Sequence, residues 1–479
     1  LCNIFLCQLN FTQRNAGVLY PLALDTLAGM TQAPKIKIDV ATFIDAQPLS
    51  RLQYLVIVLC GLVVMFDGLD TQVIGYLGPA LSAEWNISRV QLGPVFSASQ
   101  VGLVAGLLII GALSDRIGRR LSIIVSVLLF AVFTLLTAFA QGVTDLMIYR
   151  LLAGIGLGGA MPNALALTGE YCPKRLRATL VIIMFCGFSL GSILGGIIST
   201  TFLDTLGWSW RSVFISGAVL PMLLLPVLWF NLPESLQFLM LDSTRKTQRQ
   251  AKAALILHKI NPQLAATVDM NVQPQKIAKV PITDLFTANR TRGTLMLWLV
   301  FFMNLMVFYF LQSWLPTLFT DTGLSQRSAV LMATLISVGG IVAGILSGPL
   351  MDRYNAYKVL AALYLGGAIF VACIGIATPG ALALVTFAAG FCVSGGQKSV
   401  NALAVIFYPT YVRSTGVGWA LGIGRFGSIL GPVLAGWLLG WGWTTASLLQ
   451  MAALPMLLAT ILIYLMGISY SGNSEGQRQ

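Results

Sequence analysis

Histidine is almost missing from these 479 residues: there is one, His258. A metal centre built on imidazole, or a histidine proton relay inside a membrane, is excluded by that inventory. Charge is scarce too, at 10% of residues against 57% hydrophobic ones, where a soluble domain carries about 25%. The seven cysteines, at 2, 7, 60, 172, 186, 373 and 392, show no Cys-x-x-Cys or finger spacing. Neither a disulfide framework nor a zinc site is indicated, and no cofactor is expected. No paired nucleophile and base stands out either, which argues against an enzyme.

What is present is apolar sequence in long runs. Twelve stretches, at 54–81, 91–113, 121–140, 144–168, 177–203, 209–230, 293–316, 328–351, 357–377, 380–406, 413–438 and 443–468, are each long enough as a helix to cross a core of roughly 30 Å. Helices are required because backbone in lipid must satisfy its own hydrogen bonds, and the ten-residue alternation of a membrane barrel is absent. The expectation is an all-α membrane protein with twelve transmembrane helices.

The net charge of +12 raises the question of a nucleic-acid partner, and the location of the bases answers it. With both termini taken as cytoplasmic, Arg89, Arg211 and Arg327 fall outside and Arg150, Lys398 and Arg425 fall within helices, leaving 23 Lys and Arg on the cytoplasmic side. That is the positive-inside pattern of a chain whose partner is a lipid bilayer, not a nucleic acid. The chain divides into an N-terminal cytoplasmic segment (1–50), a six-helix bundle (51–230), a polar central loop (231–292), a second six-helix bundle (293–468) and a tail (469–479). Residues 1–29 lack the charged start and cleavage site of a secretory signal. Translation is expected to begin at Met30, and residues 1–29 are given no role.

The halves repeat one design. Gly191-Ser192-Ile193-Leu194-Gly195 recurs as Gly427-Ser428-Ile429-Leu430-Gly431, an offset of 236 that also pairs Pro173 with Pro409 and Arg177 with Arg413. Asp115-Arg116 recurs as Asp352-Arg353 at an offset of 237. Parallel repeats related by an axis along the membrane normal imply a substrate cavity between them near the midplane, completed by one chain, so a monomer is expected to function.

Within that cavity the scarce charges matter most. "VVMFDGLDTQVIG" sets Asp67 and Asp70 in an otherwise uncharged helix, three residues apart and so on one face. A carboxylate inside a membrane helix costs roughly 2.5 to 3.5 kcal/mol. Either a buried arginine neutralises the pair, or the acids take up and release protons during transport, a role that low dielectric and a like charge nearby both favour. One structural acid and one that carries the proton is a third arrangement. Arg425, Arg150 and Lys398 are the bases inside helices. Arg425, twelve residues into its helix, suits bidentate capture of a substrate carboxylate, or else pairs with an aspartate. Arg150 serves substrate or pairs with helix one; Lys398 faces the cavity or snorkels to the cytoplasm. Tyr309 and Trp314 are candidates to stack on a flat ring, although an aromatic stripe is commonly packing.

"GALSDRIGRR" resembles the loop signature of the major facilitator superfamily, and "PESLQFL" at 233 resembles its Pro-Glu-Ser element. The resemblance covers about residues 50 to 470 and implies a conformational latch formed by Asp115, Arg116, Gly118, Arg119 and Arg120, with a weaker copy at Asp352 and Arg353, where Asn355 replaces the usual glycine. Asp67-Gly68-Leu69-Asp70 is similar to the Asp-Gly-aromatic-Asp element of the aromatic acid/proton symporters, with Leu69 in place of the aromatic. "YRLLAGIGLGGAMPNALALTGEY" resembles their fourth helix, with Arg150 and Glu170 in matching places, and "VRSTGVGWALGIGRFGSILGP" their eleventh, with Arg413 and Arg425. The resemblance implies proton-coupled import of a small aromatic carboxylate, of the 4-hydroxybenzoate kind, across the bacterial inner membrane by alternating access. Two rivals stand beside it. One is a proton-exchanging exporter, which Gly191-Ser192 disfavours because exporters of the superfamily often carry Gly-Pro there; the other is a non-transporting receptor on the same fold.

Overall fold

A computed structural model describes residues 36–241, 246–261, 268–271, 281–287, 290–409 and 411–470. Among them, 12 helices are long and apolar enough to cross a membrane. They are α1 (Arg51–Tyr76), α2 (Arg89–Ile117), α3 (Arg119–Thr137), α4 (Val143–Tyr171), α5 (Lys174–Thr200) and α6 (Trp210–Asn231), then α7 (Thr291–Asp321), α8 (Gln326–Arg353), α9 (Ala356–Ile374), α10 (Pro379–Phe407), α11 (Arg413–Gly440) and α12 (Thr445–Tyr470). Residues 1–29, given no role above, lie outside the described residues.

Local chemistry sets several boundaries. Ser50 with Gln53 and Ser88 with Gln91 form capping boxes that start α1 and α2, each hydroxyl and amide satisfying orphan groups of the first turn. Asn355 caps α9 by accepting from Tyr357 N at 3.0 Å, so the asparagine that departs from the family loop does local work there. The expected first helix, 54–81, is in fact two. It breaks at Leu77 and resumes as a short helix, Gly78–Trp85, because Pro79 lacks an N–H to continue the first helix but is suited to open a new one. The fifth helix ends in a wide turn, Thr201–Thr205, with i→i+5 geometry.

Packing repeats between the halves. α1 lies on α5 as α7 lies on α11, α2 on α4 as α8 on α10, and α3 on α6 as α9 on α12. The α1–α5 contact is backbone to backbone: a Cβ on Gly68 would fall on the Phe188 carbonyl, and one on Gly191 on that of Met65. Without a hydrophobic drive between helices in lipid, such close approach is a main source of association. The halves meet through α2 with α11, α5 with α8, and α1 with α7, the first two being repeat equivalents of one another.

Those meetings lie on the face opposite the termini. Side-chain hydrogen bonds between the halves run from Gln72 to Gln312 O (2.5 Å), Ser97 to Ile429 O (2.7 Å), Ser337 to Ser192 (2.8 Å) and Ser428 to Gln100 (3.5 Å), and Arg89 meets Asp321 at 2.6 Å. Ser192 and Ser428 are the matched serines of the repeat, so the seam itself has the pseudo-twofold. One apolar cluster fills the second half and crosses into Val73, Tyr76, Leu92 and Phe96 of the first, whereas Val56, Val63, Ile123 and Leu167, toward the termini, belong to a separate cluster. Among the described residues, the polar contacts between the halves gather on one face.

Under the termini face, the helix Lys246–Ile260 buries Ala253, Leu257 and Ile260, and Ile36–Asp39 pairs in parallel with Val268–Asn271. This four-residue ladder is the exception to an otherwise helical fold.

Candidate functional site

Asp67 and Asp70 lie one helical turn apart, and their surroundings separate their roles. Asp70 is 1% exposed and held from three sides. Arg150 Nη1 reaches Oδ1 at 2.9 Å and Nη2 reaches Oδ2 at 3.0 Å, the bidentate geometry that gives the strongest ion pairs, while Nη2 also donates to the Asp70 carbonyl at 3.0 Å. Thr134 of α3 donates to Oδ1 at 2.5 Å, and the guanidinium stands 5.8 Å from the Phe214 ring centroid of α6. Both charges are wholly buried, and every contact holding Asp70 comes from its own half.

Asp67, equally buried, accepts from Thr71 at 3.2 Å and faces the charge of Arg425 on α11 of the other half. Arg425 is half-buried and donates from Nη1 to the Tyr309 hydroxyl at 3.0 Å. Acid and base thus belong to different halves and lie within electrostatic reach of one another, with no ion-pair contact locking them together among the described salt bridges.

The remaining candidates fall elsewhere. Arg150, proposed from sequence as a substrate contact, is committed to Asp70, which removes it from the cleft. Tyr309 presents its hydroxyl to Arg425 and its ring edge to Phe308, centroids 5.2 Å apart. Trp314 is fully buried in the seam, its indole N–H on Pro432 O at 3.0 Å and its ring edge-on to Phe96 of the other half. A ring so enclosed has no free face for a ligand, so the stacking role expected for Trp314 is corrected to one of sealing the halves. Lys398 reaches across to the Gly340 carbonyl on α8.

The residues to which the resemblance assigns a latch gather on the termini face. Asp115 has a side chain 78% exposed and stands 4.0 Å from Arg119. Arg119 also approaches Glu170 at 3.4 Å, which in turn accepts from Ser235 at 2.5 Å. Glu234 of the Pro-Glu-Ser element caps α3, accepting from the Arg119 and Arg120 amides at 2.8 and 3.0 Å, a carboxylate at the positive end of a helix. Gly118 makes this possible: its φ is +94°, and a Cβ there would strike Glu234. Arg120 donates to Trp229 O. Arg116 is exposed. Arg353 lies over the Tyr354 ring at 5.7 Å and Arg413 donates to Tyr408 O at 3.2 Å; the side chain of Asp352 lies outside the described set.

A third cluster, on the face opposite the termini, has no signature in the sequence. Glu84 accepts from Trp210 and Arg211, each at 2.6 Å. Burial opposes its ionisation, but these hydrogen bonds and the Arg211 charge outweigh it and hold the carboxyl below its ordinary range. Spacing gave no sign of it, because the partners are more than 120 residues apart. An apolar groove of about 410 Å³, bordered by Met306, Leu434, Trp437 and Pro455, carries no charged residue and stands apart from the acid and base.

Two pseudo-symmetric six-helix bundles, joined on one face over a buried acid and an opposed arginine, define a secondary transporter working by alternating access. The chain belongs to the Major Facilitator Superfamily, whose sequence profile matches residues 60–377 and 297–478. It is 41% identical over 434 residues to the 4-hydroxybenzoate transporter PcaK of Pseudomonas aeruginosa, spanning 90% of this chain and 96% of that one. A gallate transporter of Pseudomonas putida is 42% identical over 432 residues, 89% of this chain and 94% of the relative. Among solved structures, the xylose transporter XylE from E. coli in a partially occluded inward-open conformation superposes with a TM-score of 0.66 at 20% identity, over 87% of this chain and 98% of that one, a likeness of fold. These relatives are named transporters, in agreement with the absence of an enzymatic pattern in the sequence.

Proposed function

We propose that this transporter imports a small aromatic carboxylate of the 4-hydroxybenzoate or gallate kind together with protons, across a bacterial inner membrane with both termini cytoplasmic. The observation that supports the reading is a buried Asp67 in one half within electrostatic reach of a partly exposed Arg425 in the other, beside an Asp70 already neutralised by Arg150. Arg425 binds the substrate carboxylate, its planar fork matching that group, and Tyr309 holds the guanidinium toward the cleft. A carboxylate arriving there takes the positive charge that Asp67 faced, and a proton on Asp67 then restores neutrality. The loaded site is uncharged, which favours its passage through a low-dielectric centre.

In this cycle the seam through Ser192, Ser337, Gln100 and Ser428 holds one face shut while the termini face opens. Rocking of the bundles exchanges the two, with Asp115 engaging the second half when the termini face closes; its exposure agrees with a latch now released. One proton with one monovalent anion moves no net charge, so such a cycle draws on the pH gradient alone. The basic bias toward the termini face supports the orientation, and the bacterial relatives support the membrane. Uptake of 4-hydroxybenzoate in cells, competed by benzoate, gallate, benzamide and a sugar, tests the substrate class: acids compete and the neutral amide and sugar do not. Export, or binding without movement, would favour the rival readings.

A further inference from the structure

We propose that Lys398 forms a second carboxylate station, on the termini side of Arg425 in the cleft bordered by α5, α8 and α10; it rests on the aromatic-carboxylate reading above. Of the bases set within helices, Arg150 is neutralised by Asp70 and Arg425 faces Asp67. Lys398 takes part in none of the described carboxylate ion pairs. Its described acceptor is a backbone carbonyl, that of Gly340, whereas an ammonium has three protons to donate.

The lysine is seated in a notch. A Cβ on Gly344 of α8 would stand 3.1 Å from Lys398 Cδ and 3.2 Å from Nζ, so the lysine packs closely on the glycine. It is nonetheless partly exposed, between neighbours Ser394, Gly396, Ser399 and Val400 that are buried. It borders the other half, where Cys186 of α5 lies within electrostatic reach of the ammonium. α5 and α8 are joined at Ser192 and Ser337, and Lys398, beside Gly340 and Gly344, lies on the termini side of that join. It lies nine residues before the end of α10, about 14 Å from it, while Arg425 lies twelve residues into α11, about 18 Å from its start.

A tether between α8 and α10 needs no charge, and an intramembrane cation without a counter-charge is costly unless it serves water or an anion. An ammonium with spare donors is a point-charge site for a carboxylate. Substrate leaving Arg425 meets it on the way to the termini face, and substrate arriving from that face meets it first.

The test uses full-length transporter in proteoliposomes of one orientation, with half-saturation for radiolabelled 4-hydroxybenzoate measured from each face at low and high salt. Lys398→Met keeps a stem of similar length without charge. It is expected to raise half-saturation about fivefold from the termini face and to remove its salt dependence, with the opposite face within about twofold; Lys398→Arg stays near wild type. Equal effects at both faces, or none at either, overturn the station. A structural tether instead predicts reduced thermal stability and symmetric loss in Lys398→Met, and Lys398→Gln replaces it if the methionine variant does not fold. Wild-type protein that moves neither this acid nor gallate from either face refutes the aromatic-acid reading, and the station with it.

Discussion

Replacing Asp70 by asparagine is expected to damage the fold, whereas the same change at Asp67 is expected to damage transport. Asp70→Asn leaves the Arg150 charge, 0% exposed, without its bidentate partner. Breaking a buried pair from one side costs about 3–5 kcal/mol, and about 2–4 °C of melting temperature per kcal/mol for a unit of 150–250 residues gives a shift on the order of 10 °C. Asp67→Asn gives up a 3.2 Å hydrogen bond from Thr71 and an opposed, half-exposed arginine, a cost of about 1 kcal/mol. Thermal unfolding of detergent-purified variants, read by tryptophan fluorescence, measures both. Removing both charges in Asp70→Leu with Arg150→Met is expected to recover most of the stability, because an apolar pair of similar volume is not penalised as an orphaned charge is. An Asp70→Asn protein as stable as wild type, with Asp67→Asn the unstable one, would refute the division of roles.

Tyr309→Phe is expected to raise the half-saturation concentration for uptake about three- to tenfold with little change in maximal rate, as fits loss of one charge-assisted hydrogen bond that orients Arg425; initial-rate kinetics decide. Arg89→Glu breaks the 2.6 Å pair with Asp321 at the closed face, each side chain a third exposed, so the gain in opening is about two- to fivefold; thiol labelling at that face reads it, and adding Asp321→Arg reverses it. Gly118→Ala forces an alanine to a φ of +94° against Glu234 and is expected to cost about 1–3 kcal/mol, seen as a lower melting temperature. Glu84, held below the ordinary carboxylate range by Arg211 and Trp210, contributes stability that is present at neutral pH and lost as pH falls through its lowered value. The contribution is small because the pair is screened, and the acid limb of the unfolding profile is expected to flatten in Glu84→Gln.

Much of this was legible in the sequence, for identifiable reasons. Twelve helices follow from hydrophobic runs matched to bilayer thickness, and the repeat follows from serines, glycines and Asp-Arg pairs at nearly constant offset. The break at Leu77 was hidden because apolar sequence continues through it, and Pro79 reads equally as a kink or as a start. Asp67 and Asp70 share a face by spacing, so periodicity could not say which meets Arg150. That choice depends on how α1 is rotated against α3 and α4, and on Thr134, a residue type too common in helices to signal anything. Trp314 resembled a binding wall because aromatic stripes carry no label for what covers them; Phe96 and Pro432, far away in sequence, cover it here.

The most direct test of the central claim is accumulation of radiolabelled 4-hydroxybenzoate in proteoliposomes with an acid-outside gradient at zero membrane potential, comparing wild type with Asp67→Asn. Accumulation above equilibrium is expected in wild type and, in the variant, loss of gradient-driven accumulation with the protein still folded. Wild-type accumulation indifferent to the pH gradient, or Asp67→Asn accumulating as wild type does, would contradict it.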